Sequence, residues 1–347
     1  MRPVFVSSTG NQAGQTLLAW ALFAKLRKMG YDPGFCKPLG RVIAGESVDH
    51  DVSLFKRVFG LNRDEKELCA ALMKGSEGEA LHRDAFLESV GRQVSELRRG
   101  RDAFLLMGTE DIFFNPEGLG LPDTRMVDRL DAEVVLVDRY REDSQTIYTV
   151  LAIESYLGSR LKGIVINRVP PQALENLRDR LVPRLRNKGA PILAVVPEDR
   201  ILAASSVADY ANRLSGEVLS GKENLHNLVT GHTTGILPLP KSLDMFRRIY
   251  NKIVLKGGPR DLLADPEAEP GLAGILLTAG RKPPAVCVEA AEELGVPLVA
   301  VSPDSFEASD ILEKSRFPLS PDDGFKAERF LAYMDEQVDF QALFGKG

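Results

Sequence analysis

The stretch Phe5-Val6-Ser7-Ser8-Thr9-Gly10-Asn11-Gln12-Ala13-Gly14-Gln15-Thr16 decides how the chain is read. The apolar run Val4 to Val6 predicts a first strand, and Leu17 to Lys28 predicts an apolar-rich helix. Between them lies a loop with two glycines and several small polar residues. A strand, a glycine-rich loop and a helix together aim backbone N–H groups at an anion, and the helix N-terminus adds partial positive charge. Gly14-Gln15-Thr16 stands where a phosphate-binding loop carries Gly-Lys-Thr, and the first glycine of that spacing falls on Thr9. Residues Thr9, Gly10, Asn11, Gln12, Ala13, Gly14, Gln15 and Thr16 are therefore a candidate cradle for a nucleotide or small anion that lacks its one charged residue. The alternative is a loop that merely turns a strand into a helix.

Beyond this loop the chain alternates. Strands are predicted at 34–40, 104–107, 134–137, 163–170 and 191–196. Helices are predicted at 52–59, 65–73, 83–98, 145–157 and 174–188, with a helical turn at 127–130. In the 83–98 segment Phe86, Val90, Val94 and Leu97 form one stripe. Such alternation implies a parallel sheet with helices on both faces. Ligands in these sheets sit beyond the C-terminal ends of the strands. The loop, Lys37, the segment from Gly108 to Asp111, and Asn167 all fall there. Near residue 200 a second, smaller α/β domain begins. It has short strands at 216–221, 253–255, 274–280 and 298–301, a polar stretch at 226–234, and helices at 243–249, 284–294, 305–314 and 324–339.

The 347 residues suit two domains. A net charge of −5 argues against non-specific binding of nucleic acid or membrane surfaces. No apolar run approaches the ~20 residues of a membrane span. The strand that starts within three residues of Met1 leaves no signal peptide. Cys36, Cys69 and Cys287 are far apart and fit no metal spacing, as expected of reduced thiols in a cytoplasmic protein.

Several motifs in order resemble a known pair of domains. Residues 8–16, Lys37-Pro38-Leu39, Asp49-His50-Asp51, Gly108-Thr109-Glu110, Asn167-Arg168-Val169-Pro170 and Val196-Pro197-Glu198-Asp199 resemble the dethiobiotin synthetase-like P-loop domain. This is the form that precedes the catalytic part of some bacterial phosphotransacetylases. Residues 219–225, Gly257-Gly258-Pro259-Arg260 and Leu277-Thr278-Ala279-Gly280 resemble the DRTGG domain. The resemblance implies an α/β fold, a P-loop NTPase-like parallel sheet with helices on both faces over 1–204, followed by a smaller α/β DRTGG domain with a C-terminal helix over 205–347. The acetyl-transferring domain would lie beyond the DRTGG domain, where only a short helical tail remains, so that activity is not expected.

The resemblance also assigns roles. Lys37 would face the phosphates and partly replace the missing charge; otherwise it is a solvated lysine at a strand end. Thr16 and Asp51 would be the Mg²⁺ ligands, and Lys37 and Asp51 would carry any catalysis. The bland reading of Asp49 and Asp51 is a solvated loop or a helix N-cap. Methionine at 107, where the synthetases have Glu, cannot ligate Mg²⁺ usefully; Glu110 or Asp111 would have to reach in. Asn167 would touch an adenine edge or simply shape a turn. Arg260 and Arg281 could hold a phosphate or serve as surface ion-pair residues, and His226 and His232 read as structural or solvated. Three functions compete: a regulatory, catalytically degenerate protein that binds ATP or another adenine nucleotide; an ATP-dependent carboxylate-activating ligase; and a subunit with a vestigial site. By resemblance, the protein would be a homodimer.

Overall fold

The computed structural model describes residues 1–42, 47–73, 83–113, 122–234, 251–265, 268–280 and 283–345. These fall into two compact units, Met1–Glu198 with Leu319–Gly347, and Asp199–Pro318.

Among the described residues, the first unit is built on seven parallel strands. They are β1 (Val4–Ser8), β2 (Pro33–Arg41), β3 (Cys69–Met73), β4 (Ala103–Met107), β5 (Glu133–Arg139), β6 (Leu161–Val169) and β7 (Ile192–Pro197), in the order β3-β2-β4-β1-β5-β6-β7. β1 lies at the centre, paired with β4 on one side and β5 on the other. Its five residues are all buried, as are Val134 to Asp138 of β5. Continuous burial is what a strand covered on both faces requires. The alternation of strands and helices thus yields the expected α/β, P-loop NTPase-like sheet.

Between β1 and β6 the described residues form α1 (Gln15–Lys28), α2 (His50–Phe59), α3 (Glu65–Leu68), α4 (Arg83–Leu97), α5 (Asp123–Arg129) and α6 (Asp143–Leu157). α1 buries Leu17, Leu18, Trp20, Leu22, Phe23 and Leu26 and carries Lys25, Arg27 and Lys28 in its last turn, where cations suit the dipole. An aromatic cluster fixes α2 to the sheet. Phe55 stacks on Phe35 of β2 at 4.1 Å and meets Phe23 of α1 edge-on at 5.8 Å. The predicted stripe of α4 is buried at Phe86, Val90 and Val94.

The structure departs from the sequence reading in four places. Residues 65–73 are not one helix: α3 stops at Leu68, and Cys69–Met73 pairs with β2 as an edge strand. The helix read over 174–188 runs from Pro171 to Asn187 and contains a wider π turn at Leu177–Leu181. The polar stretch 226–234 contains a strand, Leu228–Thr233. The helical tail, expected with the second domain, lies with the first unit. Gly324–Asp335 packs on α1, where Lys25 pairs with Asp335 at 2.7 Å, and Gln337 bonds both the N–H and the C=O of Val195 on β7.

The second unit holds β8 (Ser205–Ser206), β9 (Glu217–Ser220), β10 (Leu228–Thr233), β11 (Lys252–Gly258), β12 (Gly271–Leu277) and β13 (Leu298–Ala300). Their order is β8-β10-β11-β12-β13-β9, mixed, with β12 and β13 parallel. Its core gathers Val207, Val229, Ile253, Leu255, Leu276, Val299 and Leu312. His232 sits against the Tyr210 ring, which stacks on Phe317 at 4.9 Å, and burial lowers the His232 pKa. Arg260 opens a short helix, with Asp261 3.9 Å away. The helix read at 243–249 and Arg281 lie outside the described residues.

Candidate functional site

β1 ends at Ser8 and the chain turns through Thr9 to Gly14 into α1. Gly10, Gln12 and Gly14 have φ of 147°, 60° and 106°. Gly14 needs to be glycine twice over. Its backbone is left-handed, and a Cβ would lie 2.6 Å from Asn167 Nδ2. That amide nitrogen donates to the Ala13 carbonyl at 2.7 Å, so the end of β6 braces the loop. Among the described residues, the N–H groups of Gly14, Gln15 and Thr16 have no acceptor. They are left open, as the first turn of a helix leaves them, at the positive end of the dipole.

Gln15 does not enter this space. Its Nε2 donates to the Gly108 carbonyl at 2.7 Å, and its Oε1 accepts from Ser8 Oγ at 3.0 Å. The side chain stitches the ends of β1 and β4 together. Gly108 itself belongs to that seam: its N–H donates to Val6 O at 2.8 Å.

Lys37, central in β2 and 8% exposed, is not a solvated lysine. Its Nζ lies 2.6 Å from Asp51 Oδ2 and 2.9 Å from Asp49 Oδ2. Burial works against its charge, but the two carboxylates outweigh that, and the Lys37 pKa is raised. Asp51 is likewise penalised by burial, yet the Lys37 ammonium and hydrogen bonds from Lys37 and Thr16 hold it below the usual carboxylate range. Thr16 Oγ1 donates to Asp51 Oδ1 at 2.9 Å. The helix N-cap is Asp49, not Asp51: its Oδ1 accepts from Val52 N at 3.2 Å and its Oδ2 from Arg41 N at 2.7 Å. The structure therefore brings Thr16, Asp51, Lys37 and Asp49 into one connected chain. Glu110 and Asp111 do not join it. Glu110 Oε2 faces Arg41 at 3.6 Å, and Asp111 Oδ1 accepts from Phe113 N. Among the described residues, no three His, Cys, Asp or Glu side chains are grouped to hold a metal.

Asp123, at the start of α5, was missed by the sequence reading. It is fully buried and accepts from Ser7 Oγ at 2.7 Å, Thr109 N at 2.8 Å and Thr109 Oγ1 at 3.0 Å. Burial pushes its pKa to about 6, against the pull of these bonds and of Lys37. An unfolded aspartate titrates near ~3.9. The folded chain thus binds the extra proton between these values, so this group's contribution to stability is full below about pH 4 and is lost as pH rises toward the folded value. Measured by denaturation, the stability difference between wild type and Asp123→Asn is expected to change by about 3 kcal/mol across that window and to stay flat above it. A difference that does not vary with pH would contradict this assignment.

Asp138 and Arg139 close β5 and Arg141 follows, all three overlooked; Arg168 succeeds Asn167 on β6 and was named only as part of the Asn167–Pro170 turn, with no role of its own. Asp138 is fully buried, and burial raises its pKa against the Thr9 hydrogen bond and the charge of Arg141. Their signal was present: they follow the apolar runs of two strands, at the C-terminal ends where ligands gather.

No described helix is long and apolar enough to cross a membrane. The AAA domain family model matches residues 2–206, and the DRTGG domain model matches residues 209–315. The chain is 29% identical over 203 residues to the phosphate acetyltransferase of Synechocystis sp., covering 56% of this chain and 29% of that protein. It is 23% identical over 368 residues to the phosphate acetyltransferase of Pseudomonas aeruginosa, covering 99% of this chain and 52% of that protein. It is 26% identical over 207 residues to the ATP-dependent dethiobiotin synthetase BioD of Bacillus subtilis subsp. natto, covering 57% of this chain and 88% of that protein. The chain thus spans about half, or less, of the length of the phosphate acetyltransferases it matches. With more than half its residues inside the first match, the chain belongs to the AAA domain family, and a DRTGG domain follows in the same chain.

Proposed function

We propose that the first unit is a regulatory module that binds an adenine nucleotide or related phosphate anion without turning it over. One observation carries this reading: the loop keeps open amides at Gly14, Gln15 and Thr16, while the Gln15 side chain is committed to Gly108 and Ser8. The backbone cradle is retained and its mobile charge is gone. In P-loop enzymes that charge neutralises the β- and γ-phosphates. Lys37 does not substitute for it, because Asp49 and Asp51 already balance its ammonium.

The donor set suits Mg²⁺ poorly. Thr16 spends its hydroxyl proton on Asp51, whose other oxygen holds Lys37. Mg²⁺ is usually held by one or two carboxylates, substrate phosphates and several waters, and here the nearest carboxylate is already ion-paired. Binding is therefore expected to be independent of Mg²⁺. Calorimetry with ATP, ADP and AMP, each with and without Mg²⁺, tests this. Metal-independent binding without phosphate release is the expected result; Mg²⁺-dependent hydrolysis overturns it. The DRTGG unit would carry the signal onward, within a homodimer.

Gln15→Lys is expected to raise ATP affinity about tenfold, since hydrogen bonds from a charged donor exceed neutral ones by ~1–2 kcal/mol. Unchanged or weaker binding in the same titration would count against a loop shaped for phosphate. The second reading, an ATP-dependent carboxylate-activating ligase with Lys37 and Asp51 as its working residues, draws on the Thr16–Asp51–Lys37 junction. Turnover in the presence of Mg²⁺ would select it.

A further inference from the structure

The ends of β5 and β6 concentrate positive charge beside the loop. The cross-strand register sets Arg139 opposite Asn167, and Arg168 follows directly. Arg168 is half-buried with φ of 57°. Its N–H donates to Asn167 Oδ1 at 2.8 Å, and the same Asn167 holds Ala13 of the loop. No carboxylate is within ion-pair distance of Arg139 or Arg168 among the described residues. The two guanidinium groups instead oppose each other: burial and the charge of Arg139 lower the Arg168 pKa, against the opposite pull of Glu198.

Arg141 lies against the loop itself. Its Nη2 lies 3.9 Å from where a Cβ on Gly10 would stand, so the guanidinium lies against the loop's first glycine. Asp138 steers it there. One Asp138 oxygen accepts from Thr9 Oγ1 and lies 3.8 Å from Arg141 Nη1. The other is buried with no partner among the described residues.

We propose that Arg139, Arg141 and Arg168 form a second phosphate-class oxyanion subsite beside the amide cradle, supplying the charge that the loop lacks. Arg139 and Arg168, crowded together with no carboxylate in ion-pair distance among the described residues, are held unfavourably until an anion arrives, and guanidinium forks match phosphate oxygens. The cradle and the subsite together suit a ligand with two linked phosphates better than one with a single phosphate. This rests on the reading of the loop as an anion site.

The test is calorimetry with pyrophosphate and with inorganic phosphate, in EDTA, on the full chain. Wild type is expected to prefer pyrophosphate. Arg139→Gln/Arg168→Gln should weaken pyrophosphate binding about tenfold or more while changing phosphate binding little. The control is Arg184→Gln, a surface arginine on the helix Val182–Asn187, which should leave the preference intact. The subsite is overturned if the double variant keeps the pyrophosphate preference, if the control loses it equally, or if wild type binds neither anion. ATP titration of the wild type judges the nucleotide reading separately. ATP binding alongside an arginine-independent preference removes only the subsite. Arginine-dependent pyrophosphate binding without ATP binding removes only the nucleotide reading.

Discussion

Replacing Lys37 by methionine is expected to cost about 3–5 kcal/mol of folding stability. Methionine keeps most of the aliphatic stem, so the loss isolates the charge. It leaves Asp49 and Asp51, with side chains 3% and 18% exposed, facing each other without a cation. Asp49 would keep its bonds from Val52 N and Arg41 N, and Asp51 its bond from Thr16. None of these supplies a full positive charge. The pH dependence gives an internal check. The Asp51 pKa is lowered in the folded protein, so its stabilisation is present above the unfolded aspartate value and is lost as pH falls through the folded one. Wild type and variant should therefore differ most near neutrality and converge in acid. Denaturant titration across that range measures both. A gap below about 1 kcal/mol at neutral pH, or one that persists unchanged in acid, would refute the ion-pair account.

Gly108→Ala is expected to destabilise by about 3 kcal/mol or more, beyond the usual cost of one added methyl. A Cβ there would overlap Asp123 Oδ2 and lie 2.6 Å from Phe5 Cε1, and both side chains are fully buried. Asp123 is poorly free to move, because Ser7 and Thr109 hold it with three donors. Shifting it would orphan buried donors, each at ~1–3 kcal/mol. The Gly108 carbonyl also accepts from Gln15 Nε2, so the strain would reach the loop. Gly91→Ala on α4, where the nearest atom would be 3.5 Å away, is the matched control and should be neutral or mildly stabilising. Equal denaturation midpoints for the two variants would show that the seam is looser than described.

Much of the fold was legible because local and global preferences agree. β1, the loop and α1 follow from one apolar run, two glycines and one helical run. The strand Cys69-Ala70-Ala71-Leu72-Met73 was not legible: alanine, leucine and methionine favour helices, and its extended state comes from pairing with β2. The tail was read correctly as helical, since Phe330, Leu331 and Met334 make an apolar face. No local pattern says which unit that face covers. In the site, Thr16, Lys37, Asp51 and Asn167 were named from sequence and the structure brings them near the loop. The inward turn of Gln15 depends on carbonyls from β1 and β4, and the burial of Asp123 on Phe5, Ser7 and Thr109. Both are products of long-range packing that no single stretch encodes.

The hold of Gln337 on Val195 has a meaning for solubility. An outermost strand normally offers its unsatisfied peptide groups as a template on which another molecule can add. Here a side-chain amide imitates the missing neighbour, giving one donor and one acceptor at mid-strand. The turn that follows Gly324–Asp335 thus acts as a selvedge, finishing the woven border of the sheet so that it does not go on growing.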